Sequence, residues 1–157
     1  MSFSFSKSAR REFERIISRY PVTTGAILPI LHLAQREFGC IDSRVIEYLA
    51  EIMQVEPAQL SDTISFYTLF KTPESGKYLI QVCQTLPCSL LGADHIVEYL
   101  KRKLQIDVGQ TTSDGKFTLL KVECLGSCDK APVMQVNDRY YEDLTEEKLD
   151  KILAELI

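Results

Sequence analysis

The hydrophobic pattern of this chain changes period near residue 73, and that change calls for two different architectures in succession. Up to residue 70 the apolar residues recur at i, i+3, i+4 and i+7, the spacing of a helix face. Phe13, Ile16, Ile17 and Tyr20 form one stripe, with Ser8 placed to cap it and Pro21 to stop it. Ile27, Ile30, Leu31, Ala34 and Phe38 form a second, closed by Gly39 as a C-cap. Pro29 has no N–H to give, so this helix either starts near Leu28 or carries a distorted first turn. Asp42 or Ser43 caps a third stripe of Val45, Ile46, Leu49 and Met53. Pro57 suits the first position of a short fourth helix with Leu60 and Ile64. Residues 1–74 are therefore expected to form a helical bundle, with the aromatics of "SFYTLF" as core or interdomain packing.

Pro73 to Lys77 is a turn-rich linker, and beyond it strand-like runs appear. "KYLIQVC" reads as a strand ending at Cys83. Ser89 opens a helix whose Ala93, Ile96, Val97, Leu100 and Leu104 share one face. "TTSDGKFTLLKVEC" gives a turn and a strand ending at Cys124. "VMQVN" and "RYYED" pair as a hairpin through Asn137–Asp138, although a type I′ turn favours Gly second. A last helix follows Thr145, with Glu146 and Glu147 in its electropositive first turn and Leu144 placed to staple onto Leu149. The order strand, helix, strand, strand, strand, helix predicts a small α/β layer of thioredoxin-like size over residues 75–157, and an α+β fold for the whole.

Composition narrows the function. The 157 residues suit one medium domain or two small ones, and 45% hydrophobic content is enough for a packed core. A net charge of -4 argues against nucleic acid or anionic lipid as the main partner. No apolar run approaches the roughly 18 residues of a membrane span. "MSFSFSKSARR" has neither the apolar core of a secretory signal nor the look of a long Arg-rich transit peptide. A reducing cytoplasm is the expected setting, and there five cysteines point to metal binding or redox chemistry rather than to a disulfide framework.

Four of those cysteines come in two pairs, Cys83 with Cys88 and Cys124 with Cys128. Each pair begins where a strand is expected to end, so both can converge at one end of the sheet. Four bare thiolates would repel one another and stay protonated near neutral pH, whereas a bound cation resolves the conflict. Structural zinc favours C-x2-C knuckles, and both spacings here are longer, with no histidine nearby. A 2Fe–2S cluster takes two thiolates on each iron and suits two separated pairs, though not in the run used by plant-type ferredoxins. On this chemistry a cluster ranks first, zinc second, and a thiol–disulfide device third. Gly126 and Ser127 allow backbone N–H groups to approach sulfur, and Cys88 just before a helix would feel its positive N-terminus. Both effects favour the more negative, reduced form of a cluster and raise its potential.

"CQTLPCSLLGA" and "VECLGSCDKAPVMQVND", with C-x4-C and C-x3-C spacing, closely resemble the small 2Fe–2S subunit of NADH:quinone oxidoreductase, respiratory complex I. "AILPILHLAQREFG" and "FYTLF" are similar to the helical part of the same family, so the resemblance covers nearly the whole chain. It implies an N-terminal helical bundle followed by a thioredoxin-like 2Fe–2S ferredoxin domain. It also implies that Cys83 and Cys88 hold one iron of a single cluster and Cys124 and Cys128 the other. The implied partner is a flavoprotein carrying FMN and the NADH site, from whose reduced flavin the cluster takes one electron. Some of the "SFYTLF" aromatics are expected to face it. The implied location is peripheral, at the inner face of a bacterial membrane, through the complex and without insertion of this chain.

The same module recurs in NAD-linked hydrogenases and formate dehydrogenases, and a zinc-stabilised interaction domain is the reading from a different class. This chain has no Gly-x-Gly-x-x-Gly loop after a strand, so no nucleotide site of its own is expected. It departs from the family at Cys40, where an aromatic residue commonly follows the glycine that ends the second helix. Cys40 is expected to be a small, partly buried thiol, His32 a boundary or surface residue, and His95 not a ligand. Lys130 is read as solvated, with a charge that would raise the potential of a nearby cluster. A cis Ala131–Pro132 bond fits the thioredoxin-like pattern.

Overall fold

The computed structural model describes residues 4–156. Contacts divide the chain into two compact units, one running to Pro73 and the other starting at Glu74.

In the first unit, four helices form along the periodic stripes, α1 (Lys7–Ile17), α2 (Ile27–Phe38), α3 (Ser43–Met53) and α4 (Pro57–Phe66), but α1 ends short of Tyr20, which is 39% exposed, and not at Pro21. Ser6, not Ser8, caps α1, its hydroxyl accepting the Ala9 N–H at 3.2 Å. The entry is fixed from outside the helix. Phe5 is buried and stacks on Phe38, with ring centroids 5.4 Å apart, and its N–H donates to the Tyr48 hydroxyl at 3.0 Å.

A 3-10 turn over Thr23–Ala26 leads into α2, so Pro29 lies in the first turn, where helical N–H groups have no partner within the helix. Gly39 ends α2 at φ 86°, a left-handed conformation costly for residues with a Cβ. The Gln35 side chain ties the far end of the unit to α2: its amide donates to Leu69 O at 3.1 Å and its oxygen accepts the Lys71 N–H at 2.6 Å. Ile30, Leu31, Leu49 and Leu60 are fully buried at the centre.

Asp42 caps α3, accepting the Val45 N–H at 2.9 Å. Asp42→Ala is expected to lower stability by about 1 kcal/mol, the usual worth of an N-cap, seen as a lower midpoint in urea unfolding. The Val45 N–H, then the Arg44 guanidinium, hold the Asp42 carboxyl below its ordinary range. A depressed folded pKa gives stability that is present above the unfolded pKa and lost as pH falls through the folded one. The gap between wild type and variant should therefore close in acid.

The second unit is a four-stranded sheet in the order β2 (Phe117–Val122), β1 (Tyr78–Cys83), β3 (Met134–Val136), β4 (Arg139–Tyr141). β1 runs parallel to β2 and antiparallel to β3, which pairs antiparallel with β4. The β3–β4 turn is the expected Asn137–Asp138, and Asn137 takes the positive φ of 51°. Its side chain accepts the Leu79 N–H at 3.0 Å and donates to Lys77 O at 3.2 Å, fastening the turn to β1.

The crossover between the parallel strands differs from the single helix expected from Ser89. A short α5 (Leu86–Leu90) is followed by a break at Gly92, with φ 95°, and then by α6 (Ala93–Leu104). The apolar face from Ala93 onward packs as expected. Leu90 and Leu91, which continue the apolar run in sequence, are 75% and 60% exposed. α7 (Glu146–Leu156) follows Thr145, whose hydroxyl accepts the Lys148 N–H at 3.3 Å. Leu144 and Leu149 are both buried, as a staple requires. Ile80, Leu100, Leu119, Met134 and Leu149 are fully buried in this core. No described helix is long and apolar enough to cross a membrane.

Candidate redox centre

The parallel register sets the site. Cys83 is the last residue of β1 and lies opposite Val122, the last of β2, so Cys124 falls two residues beyond the same end of the sheet. The two strand ends are held together past the ladder: Gln84 N–H donates to Val122 O at 2.9 Å, and the Gln84 side-chain amide to the Glu123 carboxylate at 3.1 Å. The chain leaving Cys83 turns at Thr85 into α5, which carries Cys88. The chain leaving Cys124 passes through Gly126 to a 3-10 turn over Cys128–Lys130.

All four thiols are free, as is Cys40. Cys83 and Cys88 are each 2% exposed, whereas Cys124 and Cys128 lie at the surface. The outer sulfurs stand 3.6 Å apart, far beyond the ~2.05 Å of a disulfide. Among the described residues no three histidine, cysteine or acidic side chains gather as a single-ion site. The thiols stand as two pairs, Cys83 with Cys88 and Cys124 with Cys128, and a 2Fe–2S group would take two thiolates on each iron.

Their electrostatics match that use. Burial pushes the Cys83 thiol up, but the hydroxyl and N–H of Thr85, the Leu125 N–H and the Cys88 thiol outweigh it, and the net direction is down. The Thr85 hydroxyl lies 3.2 Å from Cys83 Sγ. Cys88 is pushed up, first by burial and then by its bond to Cys83, with Cys83 and Cys128 adding repulsion against the pull of the Val133 N–H. Cys128 is raised by its bond to Cys124 and by the charges of Cys124, Cys83 and Asp129. Without a cation these thiols resist joint ionisation; with one, the N–H groups already directed at sulfur stabilise thiolate. An all-sulfur donor set of this kind fits an iron–sulfur group.

Two expectations change in detail. Cys88 sits inside α5, not ahead of a long helix, and burial rather than a helix terminus governs it. Cys124 lies past its strand, in the loop. The expectation for small residues holds: Gly126, at φ 83°, donates its N–H to Cys124 Sγ at 3.4 Å.

His95 is exposed and turned to Glu146, 2.8 Å away, and His32 is exposed with its ring 5.2 Å from that of Phe70. Cys40 is half-buried in the first unit and Lys130 is exposed. Phe70 is buried, Tyr67 37% exposed and Phe66 77% exposed, so only part of the "SFYTLF" set is core. Ala131–Pro132 is cis.

Sequence reasoning missed three residues that hold the loops. Thr85 contacts Cys83, Tyr140 donates its hydroxyl to Leu125 O at 3.1 Å, and Glu142 accepts the Ser127 hydroxyl. Thr85, a hydroxyl residue in the turn after a cysteine, carried a readable signal. Tyr140 and Glu142 arrive from the hairpin, and no spacing announced them.

Residues 13–157 match the thioredoxin-like [2Fe-2S] ferredoxin family. The E subunit of the Rickettsia felis NADH-quinone oxidoreductase is 45% identical, over 98% of this chain and 94% of its own length. A second E-type subunit, from the NADH-quinone oxidoreductase of Rhizobium meliloti, is 42% identical, over 92% of this chain and 86% of its own. Among solved structures, an NAD+-reducing [NiFe]-hydrogenase in the air-oxidized state superposes with a TM-score of 0.72 at 25% identity. That match covers 83% of this chain but only 22% of the hydrogenase chain. With a family match running through both units and four thiols paired at one end of its sheet, the chain belongs to the thioredoxin-like [2Fe-2S] ferredoxins.

Proposed function

We propose that this chain is the 2Fe–2S electron-transfer subunit of an NADH:quinone oxidoreductase, with Cys83 and Cys88 on one iron and Cys124 and Cys128 on the other. The observation that carries the ligand assignment is the pairing of four free thiols at one end of a sheet, two buried and two exposed. The near-full-length likeness to the Rickettsia and Rhizobium oxidoreductase subunits carries the assignment to that complex. Residues 1–74 and 75–157 act as a helical bundle domain and a cluster domain.

When bound, the cluster supplies one-electron chemistry, accepting a single electron from a two-electron donor such as reduced FMN. This chain's own residues set the conditions. The buried pair keeps water from one side, the N–H groups of Thr85, Leu125, Gly126 and Val133 oppose the negative charge on sulfur, and the exposed pair leaves a short path to a partner. Leu86, Leu90 and Leu91, at 70%, 75% and 60% exposure beside Cys88, offer apolar surface to that partner. The partner is the FMN- and NADH-binding flavoprotein, and the complex holds this chain at the inner face of the membrane. A place in an NAD-linked hydrogenase is the second reading, favoured by the superposition on the NAD+-reducing enzyme.

The test is iron, acid-labile sulfide and visible absorption of anaerobically purified chain, together with the proteins that co-purify from its source. Two irons and two sulfides per chain are expected. A colourless protein with one zinc, or one that exchanges thiols without metal, would sink the reading. Hydrogenase components in place of quinone-reducing ones would move it to the second.

A further inference from the structure

We infer that Tyr140 is a positioning residue that tunes the Cys124 sulfur through the Leu125–Gly126 peptide. This rests on the cluster reading above. The Tyr140 hydroxyl donates to Leu125 O at 3.1 Å, and the N–H of that same peptide, on Gly126, donates to Cys124 Sγ at 3.4 Å. O–H, C=O, N–H and sulfur thus form one chain of hydrogen bonds across a single planar amide. A donor at the carbonyl oxygen draws electron density along the amide and makes its N–H a stronger donor; such chains strengthen each member.

The arrangement also fixes the plane of the peptide. Gly126 stands at φ 83°, so the loop reaches this orientation at the one residue type that adopts it freely. Leu125 adds a second link, since its own N–H is among the groups that hold the Cys83 thiol down. One residue of β4 therefore holds, through a carbonyl, the segment whose Gly126 N–H meets Cys124 sulfur and whose Leu125 N–H acts on the Cys83 thiol. A stronger N–H···S bond favours the more negative form of a thiolate-ligated centre. Tyr140 accordingly raises the potential without touching sulfur.

The experiment is a redox titration of the purified, cluster-loaded full chain at neutral pH, followed by EPR. Tyr140→Phe keeps the ring and removes the hydroxyl. Iron and sulfide content should match wild type, and the midpoint should fall. At fixed poise the reduced-to-oxidised ratio should drop by a factor of about two to ten, the range for weakening or losing one hydrogen bond. Site-specific 3-fluorotyrosine at 140, a more acidic donor, should move the midpoint the other way. A merely structural hydroxyl would give no such reversal.

The inference is overturned if both variants keep the wild-type midpoint, if both shift it in one direction, or if Tyr140→Phe cannot retain the cluster. A wild-type chain without iron and sulfide would instead bring down the cluster reading itself.

Discussion

Cys88→Ser is expected to leave the purified chain without the visible absorbance of a 2Fe–2S centre, while the far-UV circular dichroism of the metal-free chain stays near wild type. Cys88 is 2% exposed, and the Val133 N–H and the Cys83 thiol both act on its sulfur. A serine oxygen reaches less far than sulfur and is a harder donor, and solvent has no route to supply a substitute ligand at a buried position. The exposed partner site behaves differently. At Cys128 water or an added thiol can take the vacant place, so Cys128→Ser should retain a measurable fraction of the iron.

Cys40→Ser should retain all of it. Full iron content in Cys88→Ser, or its loss in Cys40→Ser, would overturn the ligand assignment. The order of the two pair members is the sharper reading, because it depends on the burial asymmetry and not merely on counting cysteines.

Ile80→Ala is expected to destabilise the second unit by about 2–5 kcal/mol, the range for emptying a fully enclosed aliphatic site. Ile80 is 0% exposed and lies mid-strand on β1, opposite Leu119 on one side and Val136 on the other. Strands on both flanks hold the backbone in place, so the surroundings have little freedom to collapse into the space. Chemical denaturation of the metal-free chain measures the loss, and amide exchange of β1 and β2 assigns it to this sheet. A change below about 1 kcal/mol would mean that the site relaxes freely and is not an enclosed core position.

Long periodic segments were legible in the sequence, and short ones were not. The α2, α3 and α6 stripes and the C-cap at Gly39 carry several mutually consistent signals each, and they fold as read. Ser6 and Ser8 offer equal capping chemistry, and the choice between them is made by Phe5 packing on Phe38 and Tyr48, residues far along the chain. The break between α5 and α6 failed for a related reason. A single helix opening at Ser89 would run through Leu90, Leu91 and Gly92, yet the backbone turns left-handed at Gly92 and both leucines face outward.

At the site, the thiol spacing told which residues come together but not their inequality. Burial of one pair and exposure of the other follow from where the strands end and how α5 folds over, which no local pattern encodes. The supports Tyr140 and Glu142 were invisible because they come from another part of the chain.

The parallel pairing of β1 with β2 also gives the second unit a polarity. The four paired thiols and the exposed Leu86, Leu90 and Leu91 all lie past the carboxyl ends of these two strands. Past their opposite ends lie the 112–116 turn, closed by the Gly115 N–H on Thr112 O at 2.8 Å, and the Asn137–Asp138 turn. That remote end can gain or lose residues without disturbing an electron-transfer distance, provided the Asn137 clasp on Lys77 and Leu79 survives. Variation in chain length among redox-competent forms of this module is therefore expected to concentrate in the 112–116 turn, while residues 109–112 stay paired to β2. The thiol end is held to fixed spacing by geometry alone.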